Sequence, residues 1–404
     1  MDVKDATDAM DAKDALNAVE QSTPTARLAI GGSVYDAGSP HLASAIAWAY
    51  AARRRPRCLC RPDGVEMYVA RFGGRYVVKR MPDTGSNHAP PCPSFEPPAA
   101  CSGLDRLLGS AIIEDPTSGI TRLRLGFPMS IQPKERITSQ SASVHGSVAV
   151  PGAKMSLRGL LHYMWDQADL TRWHPGFEGR RSWRTVRKHL LDAAGQMAIS
   201  GTTLDTKLYV PEVFSVDQRD EINARRTAAW ERSAPQPGSA QQLQLLIAEV
   251  KEFAPARHGY RAILKHVPDI AFTIDRPLFC ATEKRLAAEL ELWSACDETH
   301  LVLISTFGLS GCGVPKIERL SLMPATRNWL PLESGLELQL LERLVRDRRS
   351  FRKILRYDTS RDTELASLVL TDRGDVAPAV YATQAKIDAE AAGMGANADA
   401  QQSP

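Results

Sequence analysis

Four of the seven cysteines lie between residues 58 and 101, around a pair of glycines and a run of prolines, and this grouping limits what the segment can become. Cys58-Leu59-Cys60 precedes two stretches rich in Val, Tyr and Phe that are joined by Phe72-Gly73-Gly74-Arg75, and His88-Ala89-Pro90-Pro91-Cys92 follows them. Five prolines fall between Pro90 and Pro98, so neither a helix nor a central strand can pass through that stretch. The glycine pair predicts a tight hairpin of strands 66–71 and 75–81. In that register Arg71 faces Tyr76 and Val69 faces Val78; extended further, Cys60 faces Asn87 and Cys58 faces Ala89. Residues two apart on an extended segment point to one side. The ribbon therefore carries Cys58 and Cys60 to His88, with Cys92 one short loop away. Three thiolates and an imidazole suit tetrahedral zinc, and four protein ligands leave no open position for water or substrate. The expectation is a structural zinc site of Cys58, Cys60, His88 and Cys92, with Cys101 as a spare donor or a buried thiol.

Seven cysteines among 404 residues, four of them crowded and three scattered, do not form a disulfide framework. A reducing, cytoplasmic setting is expected. The start of the chain is Asp-rich where a signal peptide carries basic and then apolar residues, and no apolar run is long enough for a membrane span. The net charge of +3 is unevenly spread: residues 1–22 carry −4 and residues 384–404 carry −2, leaving +9 on residues 23–383. Both tails lack sustained apolar periodicity and read as disordered. Basic residues gather at 53–57, at 180–188 and at 343–361, the last with eight basic against two acidic side chains. Arg180, Arg181, Arg184, Arg187 and Lys188, with Arg348, Arg349, Arg352, Lys353 and Arg356, are the candidate phosphate contacts. Solvated helix faces are the plain alternative.

The elements predict an α+β fold. A zinc-stabilised hairpin module spans 40–150, a helical region 151–230, a linker 231–242 and an α/β domain 243–383. Helices are expected at 41–52, 156–170, 182–194, 282–295 and 333–356, with Ser156 and Ser182 as N-caps. Strands are expected at 119–125, 147–150, 244–250, 270–274, 301–307, 317–322, 365–370 and 379–382. Gly308, Gly311 and Gly313 follow a strand but precede Pro315 and another strand, so they read as a hairpin turn and not a phosphate loop. His162, His174 and His189 with Trp165, Trp173 and Trp183 read as packing more than as a stacking platform.

The stretch CLCRPDGVEMYVARFGGRYVVKRMPDTGSNHAPPCPSFEPP resembles the signature of an uncharacterised bacterial family, domain-of-unknown-function family 1173. The resemblance covers most of residues 40–383. It implies a plasmid or integrative-element setting and no particular reaction. Residues 329–383 are similar in element order to restriction-endonuclease-like proteins, but no strand carries the carboxylates and Lys that would hold magnesium and steady a water. Glu333, Glu337, Asp372 and Lys386 are only fragments of such a set. The sequence thus predicts a zinc-stabilised, nucleic-acid-associated (DNA-binding) accessory protein of a mobile element. A protein-interaction scaffold for conjugation or replication and a divergent metal-dependent nuclease are the alternatives.

Overall fold

The computed structural model describes residues 27–72, 74–132, 153–360 and 363–382. The two acidic tails, the strand expected at 147–150 and Lys386 lie outside the described residues. The fold is mixed α+β. Its helices among the described residues are α1 (Leu42–Ala51), α2 (Leu157–Gln167), α3 (Trp183–Ala194), α4 (Arg219–Trp230), α5 (Arg276–Arg285), α6 (Ala287–Ser294) and α7 (Gly335–Arg346). No helix among them is long and apolar enough to cross a membrane.

The amino-terminal sheet holds five strands. The hairpin of Val65–Phe72 with Arg75–Arg80 forms in the expected register, Arg71 opposite Tyr76 and Val69 opposite Val78. The pairing stops at Met67 and Arg80, however, and does not extend to the cysteines. The chain before Val65 folds back instead: Arg57–Cys58 pairs with Glu66 and Val65 on one side and with Ala29 and Leu28 on the other. Cys58 is therefore a central position of this sheet, held by a second tight turn that the glycine hairpin alone does not announce.

The central element is a closed barrel. Gln244–Ala256 pairs antiparallel with Gly259–Leu264 and also with His300–Leu309; Gly259–Leu264 pairs with Val267–Asp275. Val267–Asp275 then lies parallel to Pro315–Ala325, which returns antiparallel to His300–Leu309. Numbered along the barrel, the order is 1-2-3-5-4 and back to 1, with α5 and α6 between the third and fourth strands. The first strand serves both neighbours because it is 13 residues long and shifts register between Val250 and Glu252. Strand periodicity sorts its side chains. Leu246, Ala248 and Val250 pack with Phe272, Leu301, Leu303, Leu320 and Leu322 in one cluster. Leu245, Ile247, Val302, Ile304 and Met323 join the buried faces of α2 and α3 in another. Trp230, from the end of α4, sits among Phe272 and Phe307 at 5.4 and 5.5 Å. The glycines at 308–313 form the expected turn, since Leu309 faces Pro315 across it.

Three sequence expectations change. The helix expected at 282–295 is two helices broken at Leu286. Ser182 occupies the N-cap of α3 without a capping hydrogen bond, whereas the Ser156 hydroxyl accepts one from Gly159 N–H. The helix expected at 333–356 ends at Arg346, and Phe351–Lys353 is a strand between Leu368–Leu370 and Arg172–Trp173. Arg348 takes a left-handed φ of 53°, and Arg349 N–H closes on Leu344 C=O, a helix stop in which an arginine fills the place usually held by glycine. The helix and the two antiparallel strands expected near the carboxyl end are present, and the described strands of 368–380 carry no carboxylate.

The apolar clusters run across the limits expected near residues 150, 230 and 242. One cluster joins Leu107 to Ile304 and Tyr357, and another joins Leu28, Cys58 and Cys92 to Ile354, Ala366 and Val369.

Candidate metal centre

Cys58 reaches the centre from the middle of the sheet, Cys60 from the turn after it, and His88 and Cys92 from the proline loop. Cys92 N–H closes a turn on Ala89 C=O and Phe95 N–H one on Cys92 C=O, so the prolines are ordered by successive tight turns. One ligand atom from each of the four residues lies within 4.8 Å of every other. Cys58 Sγ is 3.6 Å from Cys92 Sγ; His88 Nδ1 is 3.3 Å from Cys60 Sγ and 3.6 Å from Cys92 Sγ. The sulfurs are free thiols and not disulfides. The edges of a zinc tetrahedron with arms of about 2.3 Å to sulfur and about 2.0 Å to nitrogen are roughly 3.5–3.8 Å, so the donor set and its spacing fit such an ion.

Cys58, His88 and Cys92 are buried and Cys60 half-buried. A hydrogen bond from Cys92 holds the Cys58 thiol down at about 4 and pushes Cys92 up, while burial raises Cys60. His88 turns Nδ1 to the sulfurs and leaves Nε2 buried without a hydrogen-bond partner among the described residues. Cys101 stands apart from the group, half-buried, with its thiol pushed up by desolvation.

The ten basic candidates separate into two sets. Arg180, Arg184, Lys188 and Arg348 are exposed. The others turn inward. Arg181 donates to the carbonyls of Leu170 and Arg172 and lies over the Trp173 and Phe177 rings, where desolvation lowers it to about 10. Arg187 is half-buried on the Val210 carbonyl. Arg349 grips Asp372 through two bonds of 2.8 and 2.6 Å. Lys353 pairs with buried Glu337 at 2.9 Å, and Arg356 with Glu333 at 2.9 Å. Buried Arg352 faces Asp166, Asp169 and Glu96 at 3.4, 3.5 and 3.7 Å and donates to the Phe95 carbonyl. The basic helix expected at 343–361 is thus corrected: its second half is a buried strand whose cations neutralise internal carboxylates. Trp165, Trp173 and Trp183 are likewise core residues.

Two constellations escaped the sequence. Glu96 binds Arg80 at 2.5 Å as well as facing Arg352, and Glu249 binds Lys265 and His300 at 2.5 Å each. Arg352 and His300 come from strands far along the chain, and Arg80 and Lys265 stand sixteen residues from their partners, so no local spacing announces either group. Trp48 and Tyr50, exposed beside the arginines at 53–55, were missed as well, although aromatics next to a charge run are a signal that could have found them.

The family model described as "Protein of unknown function (DUF1173)" matches residues 28–403, nearly the whole chain, and the protein belongs to that family. No curated protein and no solved structure matches it.

Proposed function

We propose that this chain is a zinc-stabilised, nucleic-acid-associated accessory protein of a bacterial mobile element. The observation that carries the reading is the meeting of Cys58, Cys60, His88 and Cys92 within 4.8 Å in a buried position. Cys58, Cys60 and Cys92 as thiolates and His88 through Nδ1 would hold the ion, which ties the proline loop to the sheet where few apolar contacts are available. The site is structural because all four positions of a tetrahedron are protein side chains.

Two features support nucleic-acid association. The barrel's 1-2-3-5-4-1 order, with helices between the third and fourth strands, is that of the five-stranded barrels that bind oligonucleotides and oligosaccharides. Arg184 and Lys188 are exposed one turn apart on α3, and Arg180 is exposed in the turn that precedes it. We assign no cleavage chemistry, because Glu333 and Glu337 are each tied to a cation.

The metal assignment is tested by elemental analysis of purified protein. One zinc per chain is expected, lost in Cys58→Ser/Cys92→Ser together with a drop in thermal midpoint; zinc and midpoint unchanged in that variant refute the site. For the nucleic acid, binding that weakens steeply from 50 to 200 mM salt is expected, and no binding at low salt ends the reading.

A further inference from the structure

We infer that the amino-terminal module carries a single-stranded nucleic-acid binding surface, built by the last two turns of α1, the turn before Ser33 and Arg71, Arg75 and Tyr76 of the glycine hairpin. This rests on the nucleic-acid reading above and gives it a place and a ligand class. The surface combines what single strands require, aromatic faces for bases and cations for phosphates.

Trp48 is 50% exposed and Tyr50 38%. Being two residues apart on a helix, they flank the buried stripe that contains Ala49, one on each side, across a helix roughly 10 Å wide. Each is fixed. Trp48 lies on Gly31, where a Cβ would stand 2.7 Å from its ring, so the glycine gives the indole its seat. Beside it opens a shallow recess of about 450 Å³ lined by Ile30, Tyr35, His41, Ser44 and Trp48, polar and apolar in about equal measure. On the other flank Tyr50 packs on Tyr76 with ring centroids 4.9 Å apart, and Tyr76 faces Arg71 across the hairpin.

The charge matches. Residues 41–80 contain nine basic and two acidic side chains. Arg53, Arg54, Arg71 and Arg75 are exposed, and none has a hydrogen bond or ion pair to a carboxylate among the described residues; Arg55 is bound to Glu66. This contrasts with residues 349–356, where the arginines are neutralised internally. α1 ends with Arg53 in the left-handed region (φ 50°) and Arg54 N–H on Ala49 C=O, which turns successive arginines outward from the helix end that carries the aromatics.

The test uses the full zinc-loaded chain and a fluorescein-labelled 20-nucleotide oligo-dT at 50–200 mM salt. Trp48→Ala/Tyr50→Ala is expected to weaken binding about tenfold or more at an unchanged far-UV circular dichroism spectrum, with a small loss of thermal midpoint from the packing on Gly31 and Tyr76. Arg53→Gln/Arg54→Gln should lower the salt slope by about 1.4, the single-strand value for two phosphates. If the wild type binds oligo-dT and both variants bind within twofold of it, this surface is wrong and the nucleic-acid reading survives. If the wild type binds no oligonucleotide, both fall. Preference for a duplex of the same length, or Trp48-dependent binding to phosphatidylserine vesicles without oligo-dT binding, also overturns the proposal.

Discussion

Single residues in this protein do their work mainly by meeting a partner from far along the chain. Asp166 meets Arg352 across 186 positions, and Arg352 meets the Phe95 carbonyl across 257. A run of arginines reads the same in sequence whether phosphate or internal carboxylate neutralises it, so the burial of Arg352 and Lys353 was not legible. The candidate metal ligands were legible because cysteine and histidine are scarce residue types and their grouping stands out against the background. His162 shows another buried polar residue with a measurable consequence. Its Nδ1 accepts from Tyr357 N–H at 3.1 Å, and burial holds the imidazole down at about 3 from the usual 6.5. Below pH 6.5 the unfolded chain takes up a proton that the folded chain refuses. Stability should therefore fall with acid over the window from 6.5 to about 3, by up to about 1.4 kcal/mol per pH unit. Chemical denaturation at pH 7 and pH 5 should show His162→Asn losing about 2 kcal/mol less than the wild type over that interval. Equal losses in the two proteins would remove His162 as the cause.

At the scale of elements, the sequence was most readable where a residue has one conformational use. Gly73-Gly74 announced the hairpin and its register, and the barrel strands showed as apolar runs. One helix end was read ten residues late, at Arg346, before a left-handed arginine, whereas the end of α1 was read to within one residue. Arg53 and Arg348 both take that conformation, φ 50° and 53°, and neither carries the glycine signal. A side chain with a Cβ in this region costs about 1 kcal/mol relative to glycine. Arg53→Gly and Arg348→Gly should each raise stability by about 0.5–1 kcal/mol, seen as a higher urea midpoint at an unchanged m-value. A fall in midpoint would mean that the arginine side chains supply more than the backbone conformation costs. The cysteine positions were right for a partly mistaken reason. The hairpin does not extend to them; Cys58 reaches the centre through its pairing with Leu28 and Val65.

At the scale of the molecule, the amino-terminal module is not an appendage. Its apolar cluster includes Ile354, Ala366 and Val369, and Arg61 reaches Asp375 at 3.3 Å. With zinc held as proposed, chelating it should consequently weaken more than the proline loop. Hydrogen exchange after dialysis against a zinc chelator is expected to accelerate at residues 28–30 and 57–60 and also at 351–354 and 368–370. Acceleration confined to 57–101 would show that the module opens alone. Composition and periodicity could not reveal this interlocking, because it depends on which apolar faces meet and not on how many there are.

The shared cluster also orders events in synthesis. Leu28 and Cys58 emerge from the ribosome early, yet the residues that complete their cluster, Ala366 and Val369, are made more than 300 positions later. Until then the first module has only its own hairpins and whatever ion the thiols have taken up. Metal capture during translation would supply the local cohesion that the missing carboxyl-terminal side chains cannot yet give.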